Sequence, residues 1–266
     1  MNNFVYMPGT CRFRAALNWT QGWNVFPPAM YSTKNIIYFL ENVHELSLSF
    51  LSSHFATDEL LDLVFTDMLE SPLESRNSWA FFEHPLDYSH VKDITIEIST
   101  RKVYIGLDSM NESIPFNVNG LMKNSALSSK LMEKYQVTSR SLSDEELSKD
   151  LDYINKLIRI QFHDQVRLNV VTHVSLKIKE TNAYIPKRHQ LTQALEGICK
   201  EKGIRVFLPG QFIEQTFKEH VFMEDWLGDT YHWDTSNVRR KEFDKLFALW
   251  INNTGKTLKS FTFLDK

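Results

Sequence analysis

Cys11 is the side chain best situated for nucleophilic chemistry. It follows an apolar run, Phe4-Val5-Tyr6-Met7, that reads as a buried strand stopping at Pro8-Gly9. In a parallel α/β fold, a strand that runs into a glycine turn delivers the next side chains to the carboxyl edge of the sheet, where ligands bind. A thiolate there gains from the N–H groups of the turn and from Arg12 beside it. The plain alternative is a small buried cysteine that only packs. A second stretch, Gly228-Asp229-Thr230-Tyr231-His232, stands just before the last helical segment. Asp229 and His232 are spaced to share one turn of a loop-to-helix junction. The carboxylate then fixes the imidazole tautomer and leaves the other nitrogen as a base. Read alone, the pair is better explained as an ordinary surface turn.

These groups need elements to hold them. Asp93–Ile98 alternates polar and apolar residues and reads as a strand, with Lys102–Leu107 continuing or pairing with it. Val166–Val174 and Ile204–Leu208 are further strand candidates. Helical periodicity covers Glu145–Phe162, with Ser143 and Glu146 set as a capping box. It also covers Arg188–Lys202, closed by Gly203, and Asn237–Ile251. Ser32–Asn42 and Asp58–Glu70 open with capping residues and read as helices. The second half alternates helix and strand, which predicts a parallel sheet flanked by helices. Residues 106–143 are polar with few periodic positions and read as an excursion or lid. The whole chain, 1–266, is taken as one α/β domain with insertions.

Composition removes several function classes. A net charge of −3 gives no field for gripping nucleic acid. No apolar run is long enough for a membrane-spanning helix. Two cysteines cannot build a disulfide scaffold or a four-cysteine zinc site, and no histidine set has metal-ligand spacing. The N-terminal residues lack a basic start and a long apolar region, so a cytoplasmic chain is expected.

Taken together, the Gly9-Thr10-Cys11-Arg12 turn and the late Asp229-x-x-His232 resemble the first and last blocks of the SGNH/GDSL hydrolase superfamily. The likeness is closer to its GSCFA-type and capsule-biosynthesis branches, which carry Cys in place of the usual Ser. Asp93–Thr100, Val170–Val174 and the segment from Pro186 to Pro209 are also similar to those branches. The resemblance implies a three-layer α/β/α fold with a mainly parallel sheet in flavodoxin-like order. It implies Cys11 as nucleophile, His232 as base and Asp229 as the orienting acid. Gly9, Thr10, Arg12, Ser99, Thr172 and His173 would bind substrate or the oxyanion. The chain departs from the family in having Thr10 at the Asp position and no Gly-x-Asn-Asp block.

The implied activity is acyl transfer, as an esterase or acetyltransferase, on a carbohydrate or related small molecule. No cofactor is required; acetyl-coenzyme A is a candidate acyl donor. The alternative is a catalytically inactive carbohydrate- or partner-binding domain on the same scaffold.

Overall fold

The computed structural model describes residues 4–7, 24–25, 30–42, 89–117, 125–178, 180–217, 223–226, 230–233 and 237–252. Its central feature is a five-stranded sheet in the order β2-β1-β3-β7-β8. The strands are β1 (Phe4–Met7), β2 (Asn24–Val25), β3 (Asp93–Ile98), β7 (Arg167–Thr172) and β8 (Arg205–Phe207). Every pair is parallel. The chain moves outward from β1 to β2, then returns to the other side of β1 for β3. Strand order therefore reverses at β1, as the flavodoxin-like reading expects.

β3 is buried along its whole length, polar residues included. A strand covered on both faces is the normal state of a parallel sheet. One face presents Ile94, Ile96, Ile98, Leu168 and Val170 to the main core. Helices α1 (Thr33–Asn42), α3 (Asp144–Gln161) and α4 (Pro186–Glu201) supply its other half through Ile36, Leu40, Leu151, Ile154 and Leu195. Asp150 joins two of these helices. Its carboxylate accepts from Thr33 Oγ1 and Lys34 Nζ, both at 2.6 Å.

The opposite face is centred on Phe207. Its ring lies 5.4 Å from Phe212 of α5 (Pro209–Phe217). It lies 5.2 and 4.8 Å from Phe247 and Trp250 of α6 (Asn237–Asn252). Burying each such ring contributes roughly 1.5–3 kcal/mol. Helices thus cover both faces, giving three layers.

Helix ends follow their sequence signals. Ser143 accepts from the Glu146 N–H, and Glu146 returns the bond to the Ser143 N–H, so the capping box is complete. Pro186 opens α4, where its missing N–H costs nothing. Gly203 lies one residue past the Lys202 cap at φ +66°, a conformation that favours glycine. The helix expected at Asp58–Glu70 lies outside the described residues.

Lys102–Leu107 corrects one expectation. It forms β4, which does not join β3 but pairs antiparallel with β5 (Ser113–Phe116) and β6 (Thr138–Ser141). Ser99 and Thr100 end β3 by donating both N–H groups to the Tyr31 carbonyl, so the chain turns away from the sheet. Helix α2 (Ser125–Lys134) lies between β5 and β6. The polar stretch 106–143 thus contains ordered elements. Its polarity sits on outward positions such as the fully exposed β6, while Ile114, Phe116, Val137 and Leu142 enter the main core. A final hairpin pairs β9 (Met223–Trp226) with β10 (Thr230–Trp233).

Candidate functional site

The reversal of strand order locates the site to inspect. In open parallel sheets, ligands occupy the crevice outside the carboxyl ends of the strands that flank such a reversal. Here those strands are β1 and β3. Of the residues expected there, Gly9, Thr10, Cys11, Arg12 and Asp229 lie outside the described residues. Ser99, Thr172 and His173 are described, and the carboxyl ends of the neighbouring strands β3 and β7 hold all three.

Their hydrogen bonds limit what each can do. Ser99 Oγ donates to the Tyr31 carbonyl at 3.3 Å. Thr172 is fully buried, and its hydroxyl donates to the His173 carbonyl at 3.3 Å. A hydroxyl has one proton, so each of these donors is already engaged. His173 Nδ1 lies 2.9 Å from the Val174 carbonyl. A carbonyl only accepts, so Nδ1 carries a proton. Glu97 is fully buried one residue before the end of β3, in register with Val171.

His232 was expected in a loop turn with Asp229. It stands instead within β10, in register with Glu224 of β9. Thr230-Tyr231-His232-Trp233 is made of β-branched and aromatic or ring-bearing residues, and strand preference prevails there over the turn reading.

A second cluster on the same edge had no mark in the sequence reading. Ser175 Oγ lies 3.4 Å from Nδ1 of His189, on the first turn of α4. The His189 ring stacks on Tyr184 at 4.1 Å with an 11° tilt. The Tyr184 hydroxyl donates to Glu214 of α5 at 3.3 Å. Burial first, and then the Glu214 carboxylate, raise the Tyr184 phenol above its ordinary range and keep it a donor. These residues are fixed by the β7-to-α4 crossover, which returns the chain to the edge it has just left. That topology was the available signal: it brings a Ser just past a strand and a His on the next helix's first turn to the same sheet edge.

Gly210 packs this edge tightly. A Cβ there would stand 2.1 Å from the Ser175 carbonyl oxygen. Comparison with family models, curated proteins and solved structures gives no match to this chain.

Among the described residues, no group of three or more His, Cys, Asp or Glu is disposed to hold a metal ion. No described helix is long and apolar enough to cross a membrane. The other cysteine, Cys199, is buried on α4, and burial pushes its thiol up to about 12. It is no nucleophile at neutral pH.

Proposed function

We propose that this chain is an acyl-transfer enzyme of SGNH-like type, an esterase or acetyltransferase acting on a carbohydrate or related small molecule. The observation that carries the reading is the reversal of strand order at β1. In the sequence Cys11 comes four residues after β1, and the carboxyl ends of strands beside such a reversal are where parallel sheets bind ligands. In this reading the Cys11 thiol gives its proton to His232, which Asp229 orients. The thiolate attacks the acyl carbon, and the leaving group departs with the proton from His232. Water or an acceptor hydroxyl then attacks the thioester and restores the thiol. Arg12 and main-chain N–H groups of the Gly9–Thr10 turn would face the oxyanion. Acetyl-coenzyme A is the acyl donor to try first.

The rate of iodoacetamide labelling at Cys11, followed by mass against pH, tests this. Cys199 is silent at neutral pH, so the readout belongs to Cys11. Labelling of the wild type at neutral pH should be about tenfold faster than in His232→Ala, because an imidazolium neighbour raises the thiolate fraction. Slow labelling, equal in both proteins, would refute the Cys–His pair.

One observation favours a second reading, a binding domain without catalysis. The hydroxyls of Ser99 and Thr172 already donate to main-chain carbonyls, which leaves the oxyanion without those two side-chain donors. Slow labelling together with saturable sugar binding would select it.

A further inference from the structure

The amino edge of the sheet, opposite the proposed acyl-transfer site, is strongly basic. Lys92 precedes β3, Arg167 opens β7 and Arg205 opens β8. Arg159 comes from the last turn of α3, and Lys202 caps α4. Two cavities lie here, of about 280 and 320 Å³. Arg167 lines both. Arg159, Lys202 and Arg205 line the first, and Lys92 with His90 and His163 line the second.

Little negative charge answers them. Asp93 is the one carboxylate among the described lining residues. It is spent on Arg167 Nη2 at 2.9 Å and Asn169 Nδ2 at 3.2 Å. Lys202 is paired with Asp152 at 2.6 Å. Arg205 makes no direct ion pair among the described residues, and Asp93 acts on it only through space. One of its nitrogens donates to the Trp250 carbonyl at 2.7 Å, and its plane covers the Trp250 ring at 4.2 Å. Burial disfavours the charged form of Arg205, Asp93 opposes that shift, and Arg167 adds to it. The exposed side chains of Lys92 and Arg159 form no hydrogen bond or ion pair among the described residues. The carbonyl ends of α3 and α4 also meet this edge and count for about half a negative charge each. Counted over the groups just named, about two positive charges remain uncompensated beside cavities that an anion can enter.

We propose that the amino edge binds a phosphate-bearing anion, with a diphosphate spanning the two cavities on either side of Arg167. A guanidinium has five N–H donors in a planar fork that matches phosphate oxygens. Arg167 and Arg205 retain donors beyond the bonds named above. Lys92 and Arg159 supply a point charge or a fork at the two ends.

Calorimetric titration of the full chain with inorganic pyrophosphate at low salt tests the proposal, with orthophosphate titrated in parallel. Pyrophosphate should bind in the sub-millimolar range and about tenfold more tightly than orthophosphate. Arg159→Ala and Lys92→Ala should each weaken it about tenfold, the size of one lost charge-assisted bond. Both residues are exposed, so the melting temperatures of these variants should match wild type. Arg205→Lys keeps the charge but not the fork and should weaken binding too. The proposal is overturned if pyrophosphate gives no heat at millimolar concentration or if both alanine variants bind as wild type does. Equal affinity for orthophosphate would overturn the two-cavity assignment.

Discussion

Cys199 shows how one buried side chain couples the fold to pH. Its ordinary value is 9.0, and burial in the core raises it to about 12, with Lys202 working weakly the other way. Tyr38 on α1 is raised as well, by burial and then by Asp108 and Glu112. Both groups are neutral when folded and ionise more easily in the unfolded chain. Their contribution is therefore complete below the unfolded values and is lost as pH rises toward the folded ones. The expected slope from Cys199 alone is about 1.4 kcal/mol per pH unit between its two values. Urea melts at neutral and at strongly alkaline pH should show this loss. Cys199→Ala should flatten the alkaline limb while costing about 1 kcal/mol at neutral pH through the vacated volume. Parallel pH profiles for the two proteins would argue against it.

At the scale of elements, two glycines of similar appearance in the sequence have opposite roles. Gly210, at the start of α5, lets the helix approach the Ser175 carbonyl. The obstacle is backbone and cannot swing away. Gly210→Ala should cost about 1–3 kcal/mol and lower the melting temperature by several degrees. Gly197, inside α4, has nothing within 4 Å of an added Cβ. Gly197→Ala should raise stability by up to about 1 kcal/mol through helix propensity. Calorimetric melting of both variants checks the contrast, and equal shifts would undo the close-approach argument. The elements themselves were unequally legible. Residues 144–161 and 186–201 carry helical periodicity and caps, so both helices stand within two residues of expectation. β5 and β6 were not visible. Each has four residues, β5 contains Pro115, and β6 is exposed throughout, so neither shows the alternation that marks a strand. His189 gave no signal in the sequence, because its partners Ser175 and Tyr184 come from the preceding crossover loop.

For the molecule as a whole, the first described strand is a central one. β1 lies between β2 and β3 and is all that joins them in the sheet. A deletion through Met7 should abolish cooperative unfolding and send the chain to the insoluble fraction. Thermal melts followed by near-ultraviolet circular dichroism measure this. A truncated chain that melts like the full one would show that β1 is dispensable. The parallel sheet was legible because alternating helices and strands leave few topologies open, whereas its flavodoxin-like order was implied by the family resemblance. The coupling of Cys11 to the rest of the site was not, since two short motifs fix chemistry and spacing but no distance.

The excursion that separates β3 from α3 also bears on the order in which the chain folds. It departs at Arg101 and returns at Leu142, and the Leu142 N–H meets the Arg101 carbonyl at 3.0 Å. Lys102 and Ser141 face each other in the first rung of β4 and β6. Once that small sheet has formed, its two ends are already together, and the excursion drops out of the loop that β3 and β7 must close. Each halving of that effective loop saves about 0.6 kcal/mol of closure entropy. Early assembly of the excursion would therefore shorten the search for the slowest contacts of a parallel sheet. A direct join from Arg101 to Leu142 would leave a plain strand–helix–strand unit, which makes the excursion a self-closing insertion within the crossover.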